Sequence, residues 1–326
     1  METAFIDDQE TGTETSTATE ATAYLALCDQ PYSSPSRTGK PPLNPSHFVP
    51  ATLVESAQTS SDTKLLTLSL SPDSIPQDNQ EPTPIWSVFV KDDDIQVERP
   101  YTPLEGVDES GKMSFWIKKY EHGEVARWLH SKQVGSSIEL RGPMKTWAWK
   151  DDAWDDIIMV SGGTGITPFY QLLYHVFSKN ACKGRLTLLH ASKTPADLPP
   201  AHMMEFLHSI AEKHPDKFRF RVFVDSLDAP RQLKTKIPMD LTCDRIGKSA
   251  LQDALRLKKV TPWWETLFWP TSVPAVAEDR RLIVLICGPE HMVNAVAGPY
   301  GRNYSQGKLG GILAELGLKS HQVWKL

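Results

Sequence analysis

The residues best suited to chemistry are Gly162-Gly163-Thr164-Gly165-Ile166-Thr167-Pro168, set between the apolar run Ile157-Ile158-Met159-Val160 and Phe169-Tyr170-Gln171-Leu172-Leu173. A buried strand, a glycine turn and a helix start bring backbone N–H groups to a phosphate, because glycine has no side chain to hold the phosphate off. Thr164 and Thr167 add hydroxyls. The loop has neither the Gly-Lys-Ser/Thr ending of a nucleoside-triphosphate loop nor the spaced glycine triplet of dehydrogenases. Upstream, Arg99-Pro100-Tyr101-Thr102 offers a guanidinium fork that can hold a phosphate bidentately, with a ring and a hydroxyl beside it. Downstream, Cys287-Gly288-Pro289-Glu290 follows the strongest strand signal, at 281–286.

Two kinds of element must position these groups. From 43 to 150, short alternating runs at 51–55, 64–70, 85–90, 113–117 and 137–140 are separated by turn residues. That pattern predicts an antiparallel β-barrel, with one helix at about 123–130. From 151 to 326, strands at 156–160, 185–190, 218–224 and 281–286 alternate with helices at 167–179, 202–214 and 290–297. Alternation of this kind predicts an α/β domain with a parallel sheet covered on both faces. Between about 226 and 278 the periodicity breaks into prolines, basic residues and Trp263-Trp264 and Trp269, which reads as a partly helical insertion. Residues 1–42 are rich in Ser, Thr and acidic side chains and read as a disordered tail.

Composition narrows the function. The 326 residues, 40% hydrophobic, suffice for two cored domains. A net charge of −5 argues against a nucleic-acid surface. The four cysteines form no Cys-x-x-Cys pair, so neither a zinc site nor an iron–sulfur cluster is expected. No apolar run reaches the roughly 20 residues of a spanning helix, and no Lys or Arg precedes Arg37, so neither a membrane span nor a basic presequence is expected.

The three motifs, in this order, resemble the flavin reductases of the ferredoxin–NADP reductase superfamily, and within it cytochrome b5 reductase. The resemblance implies that Arg99, Pro100, Tyr101 and Thr102 bind FAD, with Tyr101 against the isoalloxazine and Thr102 at the ring or ribityl chain. Lys118, Tyr120, Gly123, Glu124, Val125 and Ala126 stand where the family holds the FAD pyrophosphate. The usual motif there has two glycines and a Ser or Thr. Here only Gly123 of the pair remains, and Ala126 replaces the hydroxyl. Arg141-Gly142-Pro143 matches a further signature, whose following glycine is replaced by the 144–149 stretch, and Trp147 and Trp149 either flank the flavin or close the barrel. Gly162, Gly163, Thr164, Gly165, Thr167 and Pro168 imply the pyridine-nucleotide loop. Asp197 is the candidate ribose carboxylate, favouring NADH over NADPH, although Lys193 can meet a phosphate. Cys287, Gly288 and Pro289 imply the nicotinamide site, so Cys287 and Thr102 are the residues assigned to the reacting centre.

The implied activity is hydride transfer from NADH to FAD, then electron transfer to an external haem-protein acceptor. The chain's ends, with Gly310-Gly311 and Gln322-Val323-Trp324-Lys325-Leu326, also resemble the narrower group of fungal mitochondrial FAD-containing reductases that assist haem attachment to cytochrome c. That implies a mitochondrial location, with a cytoplasmic one as the alternative. Trp324 stands near the chain end, where relatives carry an aromatic residue against the flavin. Trp263, Trp264 and Trp269 either dock to a membrane or protein partner or fold back onto the nucleotide domain. The competing reading is a non-enzymatic assembly factor with weakened flavin binding.

Overall fold

The computed structural model describes residues 42–75, 84–92, 96–149, 153–179, 183–227, 241–257 and 280–326. The acidic tail, save Pro42, and the three tryptophans at 263, 264 and 269 lie outside the described residues.

The first half is a six-stranded antiparallel sheet. Its strands are β1 (Val49–Gln58), β2 (Thr63–Leu70), β3 (Ile85–Lys91), β4 (Glu98–Tyr101), β5 (Lys112–Lys118) and β6 (Ser137–Trp147), in the order β4-β3-β6-β1-β2-β5. Alternation sets the faces: Val49, Ala51 and Leu53 point inward from β1, and Leu66, Leu68 and Leu70 from β2. The single helix, α1 (Glu124–Ser131), buries Val125, Ala126, Trp128 and Leu129 in the same core. Those positions recur at one face of a 3.6-residue helix.

The second half is a six-stranded sheet whose paired strands all run parallel. It comprises β7 (Asp156–Gly162), β8 (Arg185–Ser192), β9 (Phe218–Val224), β10 (Leu241–Cys243), β11 (Leu282–Cys287) and β12 (Val323–Lys325), ordered β10-β9-β8-β7-β11-β12. Ile157 and Met159 face one side and pack with α2 (Thr167–Lys179) and α3 (Ala201–Lys213). Ile158 and Val160 face the other, against α4 (Lys248–Ala254), α5 (Glu290–Ala297) and α6 (Gly311–Glu315). Both faces are covered, which explains why β7 and β11 read as unbroken apolar runs at 157–160 and 282–286. Beneath the sheet, Asp156 accepts from Arg185 at 2.9 Å and from Arg280 at 2.9 Å, tying the starts of three chain segments together.

The helix α4 falls within the stretch read as a partly helical insertion, and a short strand accompanies it. The range 226–278 contains regular sheet structure: β10 pairs with β9 and α4 covers that face. A three-residue strand is too short to leave a periodic signal, so it was indistinguishable from insertion by pattern alone.

The two halves share an apolar core. Ile85, Leu104, Trp116 and Trp147 of the barrel pack with Phe169, Tyr170, Leu172 and Leu173 of α2. Trp147 meets Trp149 edge to face, with centroids 5.8 Å apart, and both tryptophans belong to this seam rather than to the cleft above it.

Candidate functional site

The order of the parallel sheet reverses between β7 and β11. From β7 the chain runs outward through β8, β9 and β10, then returns to β11 on the opposite side. Ligands of open α/β sheets bind outside the carboxyl ends of the strands at such a switch point. Here the carboxyl ends carry two of the three sequence motifs. Ser161 of β7 pairs with Cys287 of β11, so the turn after each strand emerges beside the other.

The first turn is a 3₁₀ segment, Gly163–Ile166, running into α2. Gly163 has φ +53°, a left-handed conformation open to glycine at little cost. Gly165 is needed for space: a Cβ there would collide with the Cys287 carbonyl and lie 2.7 Å from the Gly288 Cα. Pro168 sits in the first helical turn, where its missing N–H costs nothing.

The barrel closes the cleft from the other side. β4 carries Arg99, Pro100 and Tyr101, and is held by an ion pair in which Arg141 donates to both Glu98 oxygens, at 2.9 and 2.7 Å. The Arg141 signature therefore fixes the strand that carries the Arg99 motif. Arg99 is exposed and donates to the Glu98 carbonyl at 2.8 Å. Burial raises the Tyr101 phenol well above its ordinary range, so it stays a neutral hydroxyl. Burial also works against the charge of Lys118, but Asp62 at 2.9 Å and Asp197 at 3.8 Å outweigh it and raise the ammonium.

The resulting cleft has a volume of about 490 Å³, within the range of cofactor pockets. It brings together Arg99, Pro100, Tyr101, Thr102, Lys118, Tyr120, Gly123, Glu124, Val125 and Ala126 from the barrel. From the α/β half it gathers Gly162, Thr164, Gly165, Thr167, Pro168, Cys287, Gly288 and Pro289. Gly163 and Asp197 are not in its lining. Ala126 serves two neighbours, facing the cleft while packing in the barrel core, which accounts for an apolar side chain where a hydroxyl was expected.

Sequence reading did not single out Ser87, Phe115, Trp116, His122, Thr146 or Leu326 as site residues, yet all line the cleft. Strand pairing brings most of them there, and pairing leaves no local mark. Trp324, the near-terminal aromatic, is exposed, and Leu326 takes the place at the cleft.

Two side chains support the α/β side. Burial pushes the Cys287 thiol up to about 12, so it stays protonated around neutrality. His190, fully buried, is pushed down to about 3 by burial and is a neutral imidazole. Ser192 donates to the Asp197 carbonyl at 3.1 Å. Its hydroxyl is hydrogen-bonded to His190 Nε2 at 3.1 Å, and the Ser161 hydroxyl to Nδ1 at 2.9 Å. This chain links the base of the glycine turn to the Pro195–Asp197 turn. There the Asp197 carboxylate accepts from the Thr194 hydroxyl at 2.8 Å.

A phosphate-bearing planar cofactor fits this architecture: backbone and a guanidinium for phosphates, rings and hydroxyls for a heteroaromatic system, and glycine where backbone must approach. Comparison with known proteins agrees. A model of the oxidoreductase FAD-binding domain matches residues 50–149, and one of the oxidoreductase NAD-binding domain matches residues 159–298. The chain is 32% identical over 241 residues to NADH-cytochrome b5 reductase 2 of Scheffersomyces stipitis, covering 74% of this chain and 70% of that protein. The protein of the same name from Kluyveromyces lactis is 28% identical over 308 residues, covering 93% and 92%. Among solved structures, the cytochrome b5 reductase domain of Ulva prolifera nitrate reductase has a TM-score of 0.62 at 21% identity, over 88% of this chain and 100% of that one. A ferredoxin NADP+ reductase from Neisseria gonorrhoeae, solved with FAD and NADP, gives 0.56 at 17% identity, over 86% and 98%. These two likenesses are of fold.

Proposed function

Because this chain belongs to the NADH-cytochrome b5 reductase family of FAD- and NAD-binding oxidoreductases, we propose that its cleft holds FAD against β4 and NADH against the 162–167 turn. The chain is an NADH-dependent FAD oxidoreductase. When bound, FAD accepts a hydride from NADH and releases electrons one at a time to an acceptor. The protein's own residues orient and shield. Arg99 and the N-terminal turn of α1 meet the FAD phosphates, Tyr101 and Thr102 the flavin, and Thr164, Gly165 and Thr167 the NADH phosphates. Cys287, neutral and half-buried, packs beside the nicotinamide and takes no proton.

The observation that carries this reading is the meeting of all three motifs in one cleft at the sheet's switch point. Transfer needs reacting atoms about 3–3.5 Å apart, so placement supplies much of the catalysis. The acceptor is an external haem protein, and the names of the relatives favour cytochrome b5. Resemblance at the chain ends supports a finer assignment, to mitochondria and to the reductases that assist cytochrome c haem attachment; the crowding of Trp263, Trp264 and Trp269 in the sequence supports docking to a membrane or protein partner. Among the described residues no helix is long and apolar enough to cross a membrane.

The test is spectroscopic. Purified full-length protein should carry, or take up, FAD, and NADH should bleach it without oxygen. Cytochrome b5 should then restore the colour. A colourless protein that does not bind added FAD would instead support the assembly-factor reading.

A further inference from the structure

Gln171 lies one helical turn after Thr167, on the same face of α2, and is buried to 3% exposure. Its amide reaches across the seam to the barrel twice. Nε2 donates to the Pro103 carbonyl at 2.8 Å, and Oε1 accepts from the Trp86 N–H at 2.8 Å. Each contacted residue adjoins a cleft residue: Pro103 follows Thr102, and Trp86 precedes Ser87. One side chain thus connects the helix that begins in the glycine turn with both barrel segments beneath the proposed flavin position.

We propose that Gln171 is a positioning residue for hydride transfer, fixing the separation of the flavin strand from the nicotinamide turn through its two interdomain hydrogen bonds. The inference rests on the reading of the cleft as an FAD and NADH site. The remainder of the seam does not supply this function. Ile85, Leu104, Trp116 and Trp147 give cohesion with α2, but apolar contact has no direction and tolerates sliding. Two further polar links are longer: the Tyr170 hydroxyl reaches Glu105 at 3.3 Å, and Lys118 faces Asp197 at 3.8 Å. A buried amide satisfied at both ends admits one register, because a shift leaves buried backbone groups without partners.

The test compares Gln171→Met and Gln171→Glu with the parent, as FAD-loaded full-length protein, by anaerobic stopped-flow reduction at saturating NADH. Gln171→Met keeps the volume and loses both bonds. Its limiting reduction rate should fall about ten- to hundredfold, the scale of an ångström-sized misplacement. FAD occupancy and the NADH half-saturation should stay within about threefold. Gln171→Glu should be slow in alkaline buffer, where a carboxylate faces the Pro103 carbonyl. It should recover as pH falls, because the protonated acid again donates to Pro103 and accepts from Trp86. Glu105 and Tyr170, the titratable pair of the same seam, are common to both variants, so a flat ratio of Gln171→Met to parent controls for them.

Unchanged reduction in Gln171→Met, or no acid recovery in Gln171→Glu, would overturn the role while leaving the NADH-to-FAD reading intact. FAD loss in step with rate in both variants would overturn it too, by showing a merely structural residue. A parent that NADH does not reduce would overturn the reading of the cleft, and this role with it.

Discussion

On the barrel side of the cleft the working surface is side chain: the Arg99 guanidinium, the Tyr101 ring, the Thr102 hydroxyl and the Lys118 ammonium. On the α/β side it is chiefly backbone, with Gly162, Gly165 and Gly288 keeping side chains out of the way. The difference follows from the sheets. An antiparallel strand presents alternate side chains to one face, so it can place a charge or a ring above a ligand. Parallel strands ending at a switch point present N–H groups at turns and helix starts. The first half should therefore tolerate small backbone adjustments but lose function with single side chains. The second should behave the opposite way.

The sharpest break in that contrast is expected at Gly165. Gly165→Ala introduces a Cβ that collides with the Cys287 carbonyl and crowds the Gly288 Cα at 2.7 Å. Neither backbone atom can move without displacing the other turn. Reduction of FAD by NADH should fall by about a hundredfold or more. The barrel is untouched, so FAD should remain bound. Stopped-flow reduction together with the protein-bound flavin absorbance checks both halves of the expectation. Loss of flavin would show that the two sides are not separable.

Arg99→Ala is the converse experiment. It should remove a charge-assisted phosphate contact worth roughly 1.5–3 kcal/mol, weakening FAD by about one to two decades. Arg99 is exposed and anchored to a neighbouring carbonyl alone among the contacts described, so its removal should leave the melting temperature of the FAD-free protein unchanged. Equilibrium titration of apoprotein with FAD gives the affinity. Equal affinities in variant and parent would move the phosphate contact to the α1 turn, where Gly123 and His122 line the cleft.

Cys287 is the side chain on the backbone side, and its effect should be intermediate. Cys287→Ala should slow reduction about tenfold while FAD stays bound. Its pH dependence is specific. Burial pushes the thiol up to about 12, above its free value, so it loses its proton only in strongly alkaline solution. Between about pH 6 and 9 the variant and parent profiles should therefore run parallel. A limb present in the parent and absent from Cys287→Ala in that interval would make the thiol a proton-transfer group rather than a packing surface.

What the sequence disclosed follows the same division. Gly163 and Gly165 were legible because a left-handed φ and a backbone approach each restrict the residue type, and such restrictions survive as motifs. Strands β7 and β11 were legible because burial on both faces makes their centres uniformly apolar, and β9 because its apolar residues alternate with Arg219 and Arg221. Ser87, Phe115 and Thr146 were not, because they reach the cleft by register across the barrel, and register is not encoded in any one segment. Gln171 follows the glycine turn in the sequence, but nothing in helical periodicity distinguishes a buried amide from a surface one. The ordering of motifs carried the family; the seam between the halves was visible only in three dimensions.

The smallest effect is expected at Asp197, where the two sides touch. The sequence made it the ribose carboxylate, yet it is not in the cleft lining, and its oxygens are turned to Thr194 at 2.8 Å and to Lys118 at 3.8 Å. A carboxylate already facing a cation repels a nearby 2′-phosphate less than a free one does. Removing it should therefore shift the ratio of kcat/KM for NADPH to that for NADH upward by only a few-fold, on the order of 1 kcal/mol. The turn itself should persist in Asp197→Ala, because Ser192 holds it through the backbone carbonyl. Steady-state kinetics with both nucleotides, together with a melting curve, separates two outcomes. A changed ratio at unchanged stability assigns the carboxylate to nucleotide selection. An unchanged ratio, with both KM values raised equally, would make it a strut between the halves, partnered with Lys118, and would place cofactor selection elsewhere on the α/β side.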